Sequence, residues 1–239
     1  MSDTAFWVEV TASCPENGEL ADIIRRLGGF RSRNALLDRE ETWKRSHSLL
    51  EGFRVSCERS QTLALKLVGA RFDVGGDEHH LVRVEDDPGR IYKVTYGDAF
   101  GCYSRFTPHD PECTGRHFHA SINEDPVYYL QRWMLINVVT RLASRFEGVL
   151  PPQPRLKLPR ICISQPMFSV RNPSAKEVNA SMQEIGFRKL CPEAFMHDAT
   201  GILLTDAAPR NVRIQEGKPI PFDAIASLAP DQVSLWSRV

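Results

Sequence analysis

Residues Leu203–Ile225 read LLTDAAPRNVRIQEGKPIPFDAI. Asp206, Asn211 and Asp223 each fall at the end of a short apolar run. Ile202-Leu203-Leu204 leads to Asp206, Val212-Arg213-Ile214 alternates like a strand directly after Asn211, and Pro219-Ile220-Pro221-Phe222 leads into Asp223. Three oxygen-bearing side chains are therefore expected at the rim of one small β-element. Such a rim suits a divalent cation and a phosphate better than it suits a core.

The rest of the chain bounds what this rim can serve. At 239 residues and 42% hydrophobic content, it can bury a substantial core. Lysine plus arginine equals aspartate plus glutamate, 30 of each, so no basic excess points to nucleic acid or a membrane surface. Charge interrupts every apolar stretch before it could span a bilayer. MSDTAFWVEV has neither a cationic start nor a long apolar run, so no secretory signal is expected. The six cysteines are scattered with no C-x-x-C, which reads as reduced thiols and a cytoplasmic location.

Residues 1 to about 60 read as helical. Leu20, Ile23, Ile24 and Leu27 have helical spacing, and Gly28-Gly29 closes that helix. A second helix is predicted from Asn34 to Glu51, stopped by Gly52. Leu63, Leu65 and Leu67 alternate, and a glycine-bearing loop follows over 69–77. His80–Val84 and Ile91–Thr95 read as a hairpin around a turn of Asp, Pro and Gly. Residues 97–125 show no period and read as a long excursion. Asp125-Pro126 is a helix start, and the apolar rows run on to about Phe146. Arg160–Ser164 is a predicted strand. Ser174–Ile185 is a predicted helix ended by Gly186, and 195–197 and 202–205 are short strands. Helices and strands are segregated, which predicts an α+β fold.

This order of parts resembles the protein-kinase-like fold. A Gly-rich loop (Gly75-Gly76) precedes a strand lysine (Lys93), then a helix, a hinge-like strand, a second helix, a D-x-x-x-x-N loop (Asp206 to Asn211) and a final aspartate (Asp223). More narrowly, the chain is similar to the kinase-like domain of polyvalent proteins of phages and mobile elements. The phrases GGDEHHLVRVEDDPGRIYKVT, YYLQRWMLINVV, ISQPMF, IGFRKL and LLTDAAPRNVRI…PFDAI carry that similarity, from about Leu63 to Ile225.

The resemblance implies a compact kinase-like fold with a small antiparallel sheet, a much reduced C-lobe and extra N-terminal helices. Residues 1–62 would be a helical extension packed on the core. Residues 63–168 would form the nucleotide-binding lobe, and 169–239 the catalytic lobe. It implies ATP and Mg2+ as cofactors and a protein or small-molecule hydroxyl as acceptor. Gly75, Gly76, Lys93, Gln165 and Met167 would bind nucleotide, with the adenine edge against 164–167. Lys93 and Asp206 would be catalytic, and Asn211 and Asp223 would hold the metal. A glycine loop lets backbone N–H groups approach phosphates, and a strand lysine fixes a positive charge beside them.

Three departures qualify these implications. Leu204-Thr205, not His-Arg, precedes Asp206, and Ala224-Ile225, not Phe-Gly, follows Asp223. The helix after Pro126 has no glutamate to pair with Lys93; Gln131 and Glu124 are the nearby polar candidates. The alternative is thus a pseudokinase, a nucleotide-binding or protein-binding module. Among other residues, His79 and His80 flank the glycine loop, so one would touch phosphate and the other pack on the sheet. His109, His117, His119, Cys102 and Cys113 read as a solvated loop rather than a zinc site, having no paired C-x-x-C. Arg210 reads equally as a phosphate contact and as a surface ion pair.

Overall fold

Two different periodicities build the frame, helical up to Lys66 and mainly alternating from residue 72 onward, where two further helices interrupt the strands. The computed structural model describes residues 2–32, 40–76, 78–107, 115–140, 142–168, 171–230 and 233, the side chains of 40, 42, 43 and 74 aside. Among the described residues four helices come first: α1 (Asp3–Ala12), α2 (Pro15–Arg26), α3 (Glu40–Ser56) and α4 (Glu58–Lys66). Strands β1 (Phe72–Gly75), β2 (His79–Val82), β3 (Arg90–Thr95), β4 (Cys102–Phe106) and β5 (Phe118–Ile122) follow. Next come α5 (Pro126–Thr140), β6 (Arg145–Leu150), β7 (Arg160–Pro166) and α6 (Ala175–Glu184). The chain ends in β8 (Phe187–Cys191), β9 (Ala194–His197), β10 (Ile202–Thr205), β11 (Arg213–Gln215), β12 (Lys218–Ile220) and β13 (Ile225–Leu228).

The fold is mixed α+β. Its strands form antiparallel sheets of order β1-β2-β3-β7-β6 and β13-β10-β9-β8, with two further pairs, β4-β5 and β11-β12. The five-stranded sheet buries both faces, and strand parity sorts its side chains. Val82, Tyr92, Val94 and Cys162 pack under Leu63 of α4 and Leu67 just after it. Ile161 and Ile163 face the other way, into the main core with Leu130, Trp133 and Met134 of α5. Lys93 pairs with Ile163 in register and so points to the α5 side. Phe6, Trp7, Val10, Leu20 and Ile24 of α1 and α2 lie in that same main core. No helix among the described residues is long and apolar enough to cross a membrane, and Cys14, Cys57 and Cys162 are free thiols.

Several elements differ from the sequence expectations. Leu63, Leu65 and Leu67 lie in or just after the helix α4, not on a strand: Leu63 and Leu67 are buried and Leu65 is exposed. An i, i+4 pair on one face with the residue between them outside is helical phase. The start of the kinase-like resemblance therefore falls within α4. Gly52 does not stop α3, which runs through it to Ser56, while residues 34–39 of that expected helix lie outside the described residues.

The glycine-bearing loop contains β1, and the structureless excursion contains the β4–β5 hairpin. α5 stops at Thr140, short of Phe146. Asn137 ends it by reaching over the turn: its Nδ2 donates to the Ser144 carbonyl and its Oδ1 accepts from the Ser144 N–H. Ala143 sits there at φ +48°, and Phe146 belongs to β6. Other expectations match. Gly28 and Gly29 follow α2 with φ near +90°, the left-handed form that closes helices. Ser174 caps α6 in a reciprocal capping box with Glu177.

Candidate functional site

β3, the tip between β1 and β2, α5 and the turn after β12 converge on one cluster of charges. Lys93 is 1% exposed. Its Nζ donates to Asp223 Oδ1 at 2.6 Å and to the Phe222 carbonyl at 2.9 Å. The ammonium also lies 4.8 Å from the centre of the Trp133 ring and 5.3 Å from that of Phe222, a cation–π setting made stronger by burial. Burial raises the Asp223 carboxyl, but neighbouring Lys93, His79 and Arg132, in that order, outweigh it and hold it well below the ordinary range. Asp223 is therefore a carboxylate, while burial lowers the Lys93 pKa and the pairing with Asp223 works against that shift.

Arg132, like its partner Glu78, was missed by the sequence reading. It is 2% exposed and contacts three groups: NH1 donates to Glu78 Oε2 at 2.6 Å, NH2 to the Asp223 carbonyl at 2.9 Å and Nε to the Ala224 carbonyl at 3.1 Å. Burial works against its charge, but Glu78 and Asp223 more than offset it and raise its pKa. The signal was present: Arg132 is the one charged residue in the otherwise neutral segment Pro126–Thr140. A buried charge is kept only when paired.

The two polar candidates for Lys93 turn elsewhere. Gln131 exchanges two hydrogen bonds with the backbone of Arg31, accepting at 2.9 Å and donating at 3.1 Å. The Glu124 side chain is exposed, and its carbonyl accepts from His47. Neither pairs with Lys93; Asp223 does.

At the glycine tip, Gly75 and Gly76 have different reasons. A Cβ on Gly75 would lie 2.6 Å from Leu81 Cγ and 2.7 Å from the His79 carbonyl, so the strand crossing admits only glycine. Gly76 adopts φ +80° and meets no atom within 4 Å, leaving bare backbone at the tip. Glu78 and His79 follow. His79 turns inward to Glu78 and Asp223 and is 1% exposed. His80 turns to the opposite face, edge-on to Phe72 and Tyr96.

Asp206 and Asn211 are joined directly. Asn211 Nδ2 donates to Asp206 Oδ2 and to the Asp206 carbonyl, each at 2.8 Å. Asp206 holds φ +50°, a left-handed backbone uncommon for a non-glycine residue. Arg210 makes the surface ion pair with Asp206 Oδ1 at 2.7 Å. Burial raises the Asp206 carboxyl above its ordinary 3.8, against the pull of Arg210 and with the push of Glu193 and Glu78. The Asp223 N–H donates to the Asn211 carbonyl at 3.3 Å, which ties the two loops together.

The hinge-side residues behave differently. Gln165 is buried, with Nε2 donating to Ser144 Oγ, and its Oε1 finds no partner among the described residues. The Met167 side chain is half exposed, and its N–H donates to the Gly89 carbonyl at 2.9 Å. That bond takes up the donor that an adenine edge would use there. His109 and Cys113 lie outside the described residues, and His117, His119 and Cys102 belong to no metal-ready cluster among the described residues.

No protein-family model, no curated protein and no solved structure matches the chain.

Proposed function

We propose that the chain is an ATP- and Mg2+-dependent phosphotransferase of the protein-kinase-like superfamily, with a protein or small-molecule hydroxyl as acceptor. The observation that carries this reading is the 2.6 Å pair between the buried strand lysine Lys93 and Asp223 beside the glycine tip. The similarity to the kinase-like domain of phage and mobile-element polyvalent proteins supports it, and so does the Asp206–Asn211 couple next to that pair.

The donor set fits magnesium, which takes oxygen ligands. Asp223 is an ionised, partly exposed carboxylate, and Asn211 keeps Oδ1 free for a cation because Nδ2 is used on Asp206. Asp223 and Asn211 would hold the ion. Mg-ATP, when bound, would supply the phosphoryl group, and its Mg2+ would offset the phosphate charge. Lys93 would hold the phosphates through Nζ. The backbone at Gly76 would approach them without side-chain clash. Asp206 would accept the proton of the acceptor hydroxyl at a carboxylate oxygen, and its raised pKa brings it nearer a working base. Trp133 and Phe222 would keep water from Lys93.

Two observations favour the second reading, a pseudokinase that binds nucleotide or protein without turnover. α5 presents Arg132 to the cluster where an acidic partner for Lys93 would stand, and the Met167 N–H is already taken.

A thermal melt with Mg-ATP tests nucleotide binding, since a ligand selective for the native state raises Tm. A rise in Tm with phosphoryl transfer to any hydroxyl acceptor supports the first reading. A rise without transfer leaves the pseudokinase. No rise removes nucleotide from both.

A further inference from the structure

We propose that Glu78, His79 and Asp223 form a site for a first-row transition ion, Mn2+ or Zn2+, with the His79 imidazole as its nitrogen ligand. One donor atom from each residue lies within 4.8 Å of the others. The second observation is His79 itself: it is 1% exposed, and neither ring nitrogen makes a hydrogen bond of good geometry, the Asp223 and Glu78 carboxylates standing 3.5 Å and 3.8 Å away. A buried imidazole left without partners is costly, and a metal ion would satisfy one of its nitrogens.

His79 Nε2 lies 3.5 Å from Asp223 Oδ1, close to the spacing of about 3.4 Å between two ligands on one tetrahedral ion with bonds of about 2.1 Å. Glu78 Oε2 lies nearer the other ring nitrogen, 3.8 Å from Nδ1, and Glu78 joins the set at the wider spacing of up to 4.8 Å. The existing ion pairs do not close the site. Lys93 engages Asp223 Oδ1 and Arg132 engages Glu78 Oε2. Among the described residues, no hydrogen bond reaches Asp223 Oδ2 or Glu78 Oε1, so each carboxylate keeps an oxygen for a cation. The two pairs also balance the carboxylate charges, which limits affinity but leaves the nitrogen donor to set selectivity. Magnesium prefers an all-oxygen shell, whereas imidazole suits manganese and zinc.

This site stands apart from the nucleotide reading. It shares Asp223 with that reading, but it needs neither Asn211 nor a phosphate. Its ligands come from two places, the start of β2 and the turn after β12. An ion there would fasten the glycine tip to Asp223.

The test uses the full chain without nucleotide, so its outcome does not depend on kinase activity. Mn2+ is titrated and free ion read by electron paramagnetic resonance, with Zn2+ and Mg2+ as competitors. One Mn2+ per chain is expected, displaced by Zn2+ at a concentration at least tenfold below that of Mg2+. Pulsed spectra of bound Mn2+ should show coupling to one imidazole nitrogen. His79→Gln should lose that coupling, and Glu78→Ala at the loop tip should weaken binding at least about tenfold. The second variant decides the question if the first does not fold. Absence of Mn2+ binding, binding without nitrogen coupling, coupling that survives His79→Gln, or unchanged affinity in Glu78→Ala would each overturn the proposal.

Discussion

Lys93 and Asp223 are 130 residues apart in sequence, yet Nζ and Oδ1 stand 2.6 Å apart. A single ammonium thereby joins the five-stranded sheet to the turn after β12. Lys93 is almost fully buried, so the pair is a structural commitment as well as a chemical one. Breaking one partner of a buried pair leaves an uncompensated charge, at a cost of about 3 kcal/mol or more.

Lys93→Met should therefore destabilise the chain by about 3 kcal/mol in urea unfolding, because Asp223 loses its main counter-charge. The double variant Lys93→Met with Asp223→Asn should recover most of that loss. Additive costs in the double variant would show that the two side chains are not coupled.

Asn17 is the clearest tie between the N-terminal helices and α5. It is fully buried. Its Nδ2 donates to the Val10 and Met134 carbonyls at 2.8 Å and 3.2 Å, and its Oδ1 accepts from Asn137 Nδ2 at 2.9 Å. Asn17→Ala would strand buried groups on both sides, at a cost of about 2 kcal/mol. A midpoint shift in urea checks it. A neutral substitution would mean that water replaces the amide.

His80 gives stability a pH dependence. It packs between Phe72 and Tyr96, and burial, with Arg160 and His79 nearby, pushes its pKa below the ordinary 6.5. The unfolded chain therefore takes up its proton more readily than the folded one. Stability contributed by neutral His80 is present above pH 6.5 and is lost as pH falls from there toward the lowered folded value. Unfolding free energy measured between pH 5 and 7.5 should rise with pH, and His80→Phe should flatten the rise. An equal slope in both proteins would assign the effect to another group.

Much of this geometry was legible in the chain. The ends of α2 and α6 carry their own stop and cap signals, and Asp125-Pro126 marks where α5 begins. Asp206, Asn211 and Asp223 were readable because each follows or precedes an apolar run, a local property. What local pattern could not settle was period. Leu63, Leu65 and Leu67 satisfy a strand and, through the 63/67 pair, a helix, and only the packing of α4 on Tyr92 and Val94 decides between them. Phe146 continues the helical phase of Leu142, but the side chain of Asn137 folds back and ends the helix first. Partners were harder still. Which of Gln131, Glu124 and Asp223 meets Lys93 depends on how distant elements dock, and sequence spacing carries no such information.

The last expectation separates Asp206 from Asp223. Asp223 is held ionised by Lys93 and would ligate the metal, so Asp223→Ala should abolish the Mg2+-dependent part of ATP binding. Asp206 faces Asn211 and Arg210, and its raised pKa fits a group that takes a proton rather than one that grips a cation. Asp206→Asn keeps an oxygen for Arg210 and should leave nucleotide affinity within about threefold, while transfer falls by about 10²–10⁴-fold, the range for a lost general base. Calorimetry with Mg-ATP and a transfer assay on the same preparations read the two effects separately. Equal losses of binding in both variants would place the two aspartates in one metal-binding unit. Unchanged transfer in Asp206→Asn would remove it as the base.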